Sequence, residues 1–147
     1  MRFDAIDQQL VSIHFVDHED NSGDFDLKLK DDIVCQMDDY FAGRLHHFNL
    51  PLNPQGTDFQ KKVWKQLETI GYGQQISYRE LAVQLGDKNL VRAVGGANSK
   101  NPLALVVPCH RVVGSNKKLV GYAGGLWRKK WLLRHELEFR EKRGELF

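Results

Sequence analysis

The stretch Leu103-Ala104-Leu105-Val106-Val107-Pro108-Cys109-His110-Arg111-Val112 says more than any other part of this 147-residue chain. An unbroken apolar run ends at a proline and passes directly into a thiol and an imidazole. Five apolar residues between turn signals read as a buried strand. A thiolate attacks where a thiol hardly does, so a reactive cysteine needs neighbours that lower its pKa or take its proton. Cys109 beside His110 at the end of such a strand suits that chemistry. On the dipeptide alone the plainer reading is better supported: a buried cysteine acting as a small hydrophobe, with histidine on the surface. The rest of the chain decides between them.

Upstream, Leu50-Pro51-Leu52-Asn53-Pro54-Gln55-Gly56 is the natural boundary, and it predicts domains 1–52 and 53–147. A capping box, Thr57-x-x-Gln60, then opens a helix with Phe59, Val63, Trp64, Leu67 and Ile70 on one face, ending near Gly71-Tyr72-Gly73. A second box, Ser77-x-x-Glu80, opens another helix with Leu81, Ala82 and Leu85 inward, stopped by Gly86. A turn at Asp87-Lys88-Asn89 leads to a third helix, Leu90 to about Asn98, and the pair has a helix-turn-helix pattern. Gly95 and Gly96 lie in or near that third helix, each costing about 1 kcal/mol relative to alanine. They either end the helix or leave a small-residue face able to approach another backbone, with Arg92 projecting from it. Lys88, Lys100 and Arg111 are candidates for phosphate contacts or simply solvated cations. From Trp127 to about Arg143 the pattern is helical and basic.

Before the boundary, Gln9 to Val16 reads as a strand. Asp24 to Leu29 alternates with period two and reads as a second, paired through a turn at Asp17 to Gly23. Asp31 to Ala42 reads as a helix with Ile33, Cys35 or Val34, Met37, Tyr40 and Phe41 along one side. His46 and His47 have no third ligand at recognisable spacing and read as loop histidines, so no metal is expected. Cys35 reads as a buried apolar residue.

Hydrophobic content of 41% and charged content of 27% fit an ordinary globular protein, and no apolar stretch reaches membrane-spanning length. With two cysteines at no framework spacing and no signal-peptide pattern, a reducing intracellular compartment is expected. The net charge of +2 conceals an asymmetry. Residues 1–50 carry 4 Lys/Arg against 11 Asp/Glu, and residues 51–147 carry 17 against 8. That split fits a polyanion facing only the second part, or an unevenly charged surface.

Taken in order, Tyr78-Arg79-Glu80-Leu81-Ala82, Arg92-Ala93-Val94-Gly95-Gly96-Ala97, Asn101-Pro102, Pro108-Cys109-His110-Arg111-Val112, Gly121-Tyr122-Ala123-Gly124-Gly125 and Leu132-Leu133-Arg134-His135-Glu136 resemble the O6-alkylguanine-DNA alkyltransferase family. The resemblance is dense from about Thr57 to Glu136. It implies an α/β (α+β) protein, with an N-terminal ribonuclease-H-like α+β domain and a C-terminal, mostly helical domain containing the helix-turn-helix. It further implies DNA repair by irreversible, single-use transfer of an alkyl group to Cys109 from O6-alkylguanine, and more weakly from O4-alkylthymine, with no cofactor. On this resemblance His110 takes the thiol proton through a water, and Glu136 orients the imidazole. Tyr78 serves near the ring nitrogen N3 and the adjoining phosphate, and Asn101 supports the thiol-bearing segment. Tyr122, Ala123 and Gly124 line the base pocket, with Ala123 standing where many relatives have serine. Arg92, Ala93, Gly95, Tyr78 and Arg111 face double-stranded DNA through its minor groove, independent of sequence, with Arg92 filling the space of a flipped base. A monomer is implied, in the cytoplasm or, in a eukaryote, the nucleus. The rival readings are a lesion-binding module without chemistry, against which Cys109 and Glu136 argue, and an unrelated Cys-His hydrolase or redox enzyme, which leaves the helix pair and the Arg92 helix unexplained.

Overall fold

A computed structural model describes residues 1–18 and 26–143, a mixed α/β protein of helices and two small sheets. By compactness it divides into two units: residues 1–55 with 102–106, and residues 56–101 with 107–147. The chain therefore changes unit at residues 55/56, three residues after the boundary read from the prolines, and returns briefly for 102–106.

In the first unit, β1 (Arg2–Ile6) and β2 (Gln9–His14) form an antiparallel hairpin. Its two-residue loop, Asp7-Gln8, has both φ angles positive, 50° and 64°, the twist that tight hairpins favour. The hairpin thus lies before β2, not after it. Of the second strand expected at Asp24 to Leu29, residues 24 and 25 fall outside the described residues, and Leu27 to Leu29 are helical. The cause is local: the Asp26 carboxylate accepts from the Leu29 N–H at 2.9 Å and caps α1 (Leu27–Phe41). Leu29, Ile33, Met37 and Tyr40 recur at helical spacing and are buried. Cys35 and Phe41 are exposed, correcting the expected inner face, because Cys35 stands two positions from both Ile33 and Met37 on the helix.

The run Leu103 to Val107 is buried, as its composition demands, but is not a strand. Leu103 makes a single parallel bridge to Ile13, flanked by Ile13 N–H to Pro102 O at 2.7 Å and Ala104 N–H to Ile13 O at 3.1 Å. The chain then turns, with Leu105 left-handed at φ 73°. A short apolar run specifies burial without specifying backbone.

In the second unit, α2 (Asp58–Leu67) and α3 (Tyr78–Gln84) both begin with complete capping boxes, at Thr57/Gln60 and Ser77/Glu80. Helix α2 stops at Leu67, earlier than the glycines at 71 and 73. After α3, Gly86 at φ 102° turns the chain where an L-residue would be strained. A 3₁₀ turn capped by Asp87 then leads into α4 (Val91–Ser99). Gly95 and Gly96 lie inside α4 and do not end it. Helix α4 packs on α2 and α3, and the Trp64 indole N–H donates to Ala97 O at 2.8 Å. A parallel pair, β3 (Ile76–Ser77) with β4 (Val112–Val113), places the start of α3 beside the chain leaving Cys109–Arg111. Helix α5 (Leu126–Arg143) packs on that same turn, and no helix of the described residues is long and apolar enough to cross a membrane.

Candidate active site

Cys109, His110 and Arg111 form one turn of 3₁₀ helix between Pro108 and β4, and all three are buried. The tightness of the turn points consecutive side chains in different directions, so three adjacent residues meet three different environments. Burial raises the Cys109 thiol above its ordinary pKa, opposed by a side-chain hydrogen bond with Asn101 and by the charge of Lys129. The thiol is therefore kept protonated at rest. Asn101 also donates through Nδ2 to Val107 O at 2.8 Å, bracing the segment that carries the sulfur.

His110 is fully buried, its Nε2 2.7 Å from Glu136 Oε2. Burial lowers its pKa, and the cations Arg111 and Lys129 add to this while Glu136 opposes it. The imidazole is thus neutral, with its one proton donated from Nε2 to the carboxylate. Nδ1 is left with a lone pair, buried and without a hydrogen-bond partner among the described residues.

Glu136, on α5, is also fully buried. Burial by itself would raise its pKa. The contacts with His110 and the charge and hydrogen bonds of Arg111 more than offset this, and the carboxyl stays well below the usual range. Arg111 grips it with two parallel bonds, Nε to Oε1 at 2.8 Å and Nη2 to Oε2 at 3.0 Å, and donates from Nη1 to Ile70 O. Gly73 N–H adds a fourth contact to Oε1 at 3.3 Å. Contrary to the expectation from sequence, Arg111 does not face a phosphate: it is 4% exposed and committed to Glu136. A carboxylate with no solvent access requires a permanent countercharge, and this arginine is it.

Around the thiol stand Tyr78, half-buried at the start of α3, and Tyr122. The Tyr78 hydroxyl donates to Val120 O at 3.2 Å, and its ring lies across Gly95 of α4. Burial raises the pKa of both phenols, and ionisation of Cys109 would raise each further. Ala123 is exposed and Gly124 partly so, in the turn that leads into α5.

Lys129 was not singled out in the sequence. Its side chain is fully buried, and its ammonium donates to Val120 O at 2.9 Å and Gly121 O at 3.2 Å, tying that turn to α5. Burial pushes its pKa down to about 8, partly countered by Cys109. The signal existed: Lys129 shares its helix face with Leu132, Leu133 and Glu136, at spacings of three, four and seven.

Arg92 and Ala93 are exposed on the first turn of α4, and Gly95 is half-exposed. They lie on a different element from the Cys109 turn. Lys88 and Lys100 are likewise exposed. No cluster of three or more His, Cys, Asp or Glu among the described residues could hold a metal.

A thiol one residue from a neutral imidazole, itself fixed by an ionised carboxylate, defines a cysteine-nucleophile protein of small α/β architecture. Residues 58–138 match the model of the 6-O-methylguanine DNA methyltransferase, DNA binding domain. Over 101 residues the chain is 54% identical to a methylated-DNA–protein-cysteine methyltransferase of Methanosarcina barkeri, a match covering 69% of this chain and 64% of that one. A namesake from Shigella flexneri is 54% identical over 102 residues, 69% of this chain and 60% of that one. The matched stretch thus spans under two thirds of these relatives. The crystal structure of Mycobacterium tuberculosis OGT in complex with DNA superposes with a TM-score of 0.84 at 41% identity, covering 93% of this chain and 86% of that chain. The chain belongs to the 6-O-methylguanine DNA methyltransferase family.

Proposed function

We propose that this protein repairs DNA by transferring the alkyl group of O6-alkylguanine to its own Cys109, once per molecule. The observation that carries this reading is the Nδ1 lone pair of His110, in a ring whose other nitrogen is fixed on ionised Glu136. The thiol proton passes through a bridging water to Nδ1, and the sulfur then attacks the alkyl carbon. A C–S bond forms and the C–O bond breaks, with its electron pair moving to the guanine oxygen. The base regains its keto form on taking up one proton, helped by the Tyr78 hydroxyl directed at N3. The net change moves one hydrogen from sulfur to base and is redox-neutral, so it calls for no cofactor. A thioether is a poor leaving group, and turnover stops there. O4-alkylthymine presents the same O-alkyl carbon and is a slower substrate.

A base inside a duplex must leave the stack to reach a buried sulfur, at a cost of a few kcal/mol. In this reading α3 and α4 are the helix-turn-helix, α4 enters the minor groove, and Arg92 fills the space of the flipped base. Ala93 and Gly95 permit the close approach, and recognition through the backbone makes binding independent of sequence. Tyr122, Ala123 and Gly124 receive the base, Ala123 through its backbone only. Asn101, Arg111 and Lys129 hold the parts in place. The hairpin and α1 of the first unit fit the ribonuclease-H-like domain expected there. The working form is a monomer in the compartment that holds the DNA, the cytoplasm or, in a eukaryote, the nucleus.

The test is intact-protein mass after incubation with a duplex containing O6-methylguanine. One added methyl is expected, mapping to Cys109 and absent in Cys109→Ser. Multiple turnover, or unmodified protein on saturated DNA, overturns the proposal.

A further inference from the structure

Helix α5 turns Lys129, Leu132, Leu133 and Glu136 into the protein and leaves a second stripe outside: Trp127, Lys130, Trp131, Arg134 and Glu138. Trp127 is 67% exposed and Trp131 49%, whereas Trp64, the third tryptophan of the chain, is 3% exposed. Together with His135, the stripe lines a groove of about 410 Å³. Tryptophan is highly buried on average, so two adjacent exposed indoles on one helix face call for a partner.

Both indoles are held in place. Trp131 stacks on the His135 ring at 4.8 Å and 12°, and His135 meets Phe139 at 4.8 Å. The Arg128 guanidinium lies 4.4 Å from the Trp127 ring centre and is anchored by a bond to Gly124 O at 3.1 Å. Lys130 and Arg134 supply positive charge one helical turn apart. Glu138, the one carboxylate lining the groove among the described residues, is engaged by Lys142 at 3.0 Å.

Flat, oriented π surfaces interleaved with exposed cations match unpaired nucleotides, whose bases stack while their phosphates meet Lys and Arg. A duplex hides its base faces in the stack. An acidic peptide satisfies the cations but leaves the indoles unmatched. We infer that the outer face of α5 binds single-stranded DNA, through Trp127 and Trp131 to bases and Lys130 and Arg134 to phosphates. None of these four residues is among those assigned to the flipped base, and the inference rests on the repair reading only for the choice of DNA over RNA.

The experiment is fluorescence anisotropy of a labelled short oligothymidylate across a salt series, with duplex methyl transfer measured on the same preparations. Trp127→Ala should weaken oligothymidylate binding about tenfold, the effect of losing one stacked base. Lys130→Gln with Arg134→Gln should lower the slope of log affinity against log salt by about 1.4, two phosphate contacts on a single strand. Both variants should retain duplex transfer. Unchanged oligothymidylate affinity in both overturns the inference, as does a loss confined to acidic-peptide binding or to self-association. If the wild-type protein fails to transfer methyl groups yet shows these losses, the repair reading falls and this one stands.

Discussion

The Glu136 cluster and the exposed face of α4 are both charged, yet they are built on opposite principles. In the first, His110, Arg111 and Glu136 have almost no solvent access, and each side chain is fixed by bonds at 2.6 to 3.0 Å. In the second, Arg92 stands in solvent on a helix with two interior glycines. A group that must hold one protonation state benefits from burial and preorganisation, because a dry site lets a single carboxylate fix a tautomer. A group proposed to meet many DNA sequences needs reach and charge, and burial would remove both. The comparison predicts that changes in the cluster act on stability and chemistry together, while changes on α4 act on DNA alone.

The largest effect should follow Glu136→Ala. Leaving the Arg111 guanidinium buried without its partner costs about 3–5 kcal/mol, read as a fall in the urea midpoint, and methyl transfer should be lost as well. A variant of wild-type stability would show that the cluster is not an interdependent unit.

Arg92→Ala should be the opposite case, with stability within about 0.5 kcal/mol of wild type. Transfer from duplex DNA should fall by about tenfold to a hundredfold if Arg92 acts as the proposed wedge, which would offset part of the few kcal/mol needed to unstack a base. Transfer from the free base O6-methylguanine should be unchanged. Equal loss on both substrates would move Arg92 into the chemistry and dissolve the distinction.

The third test is pH. Folded His110 is held neutral and folded Glu136 is held ionised, so both bind protons less readily folded than unfolded. As pH falls the unfolded chain gains protons first, and stability must fall with it. Stability should hold between the ordinary histidine value of about 6.5 and the Lys129 value of about 8, decline below that window through His110, and decline again across the ordinary glutamate value near about 4.3 through Glu136. Glu136→Gln should abolish the lower step in a series of urea midpoints against pH. A profile flat through both windows would contradict the assigned charge states.

The smallest effect should come from Gly95→Ala. A Cβ there meets only Tyr78 Cδ1 at 3.9 Å, an ordinary contact, so the helix should gain up to about 1 kcal/mol. Duplex affinity should fall if α4 lies against a DNA backbone. A more stable protein with undiminished affinity would place that approach elsewhere on the helix.

Much of the fold was legible because its signals are local. Thr57/Gln60 and Ser77/Glu80 announce two helices through hydrogen bonds closed within four residues, and the apolar period of α2 needs no distant partner. The Asp26 cap was equally local, but the alternation of Asp24 to Leu29 concealed it, since Leu27 and Leu29 fit either period. Cys109, His110 and Glu136 were legible as a set through family resemblance, because a motif keeps its residue types even where its contacts lie 26 residues apart.

Sequence by itself singled out Cys109, His110 and Glu136 as the residues proposed to carry the chemistry, and showed where the helices of the second unit begin, because capping and motif identity are properties of neighbouring residues. Tertiary structure alone decided that Leu103 to Val107 is a turn, that Arg111 faces a carboxylate instead of DNA, and that Lys129 is buried beside the thiol. Those outcomes depend on what the rest of the chain brings to each side chain. Charge states in a dry interior are set by such partners, and no stretch of sequence contains its own.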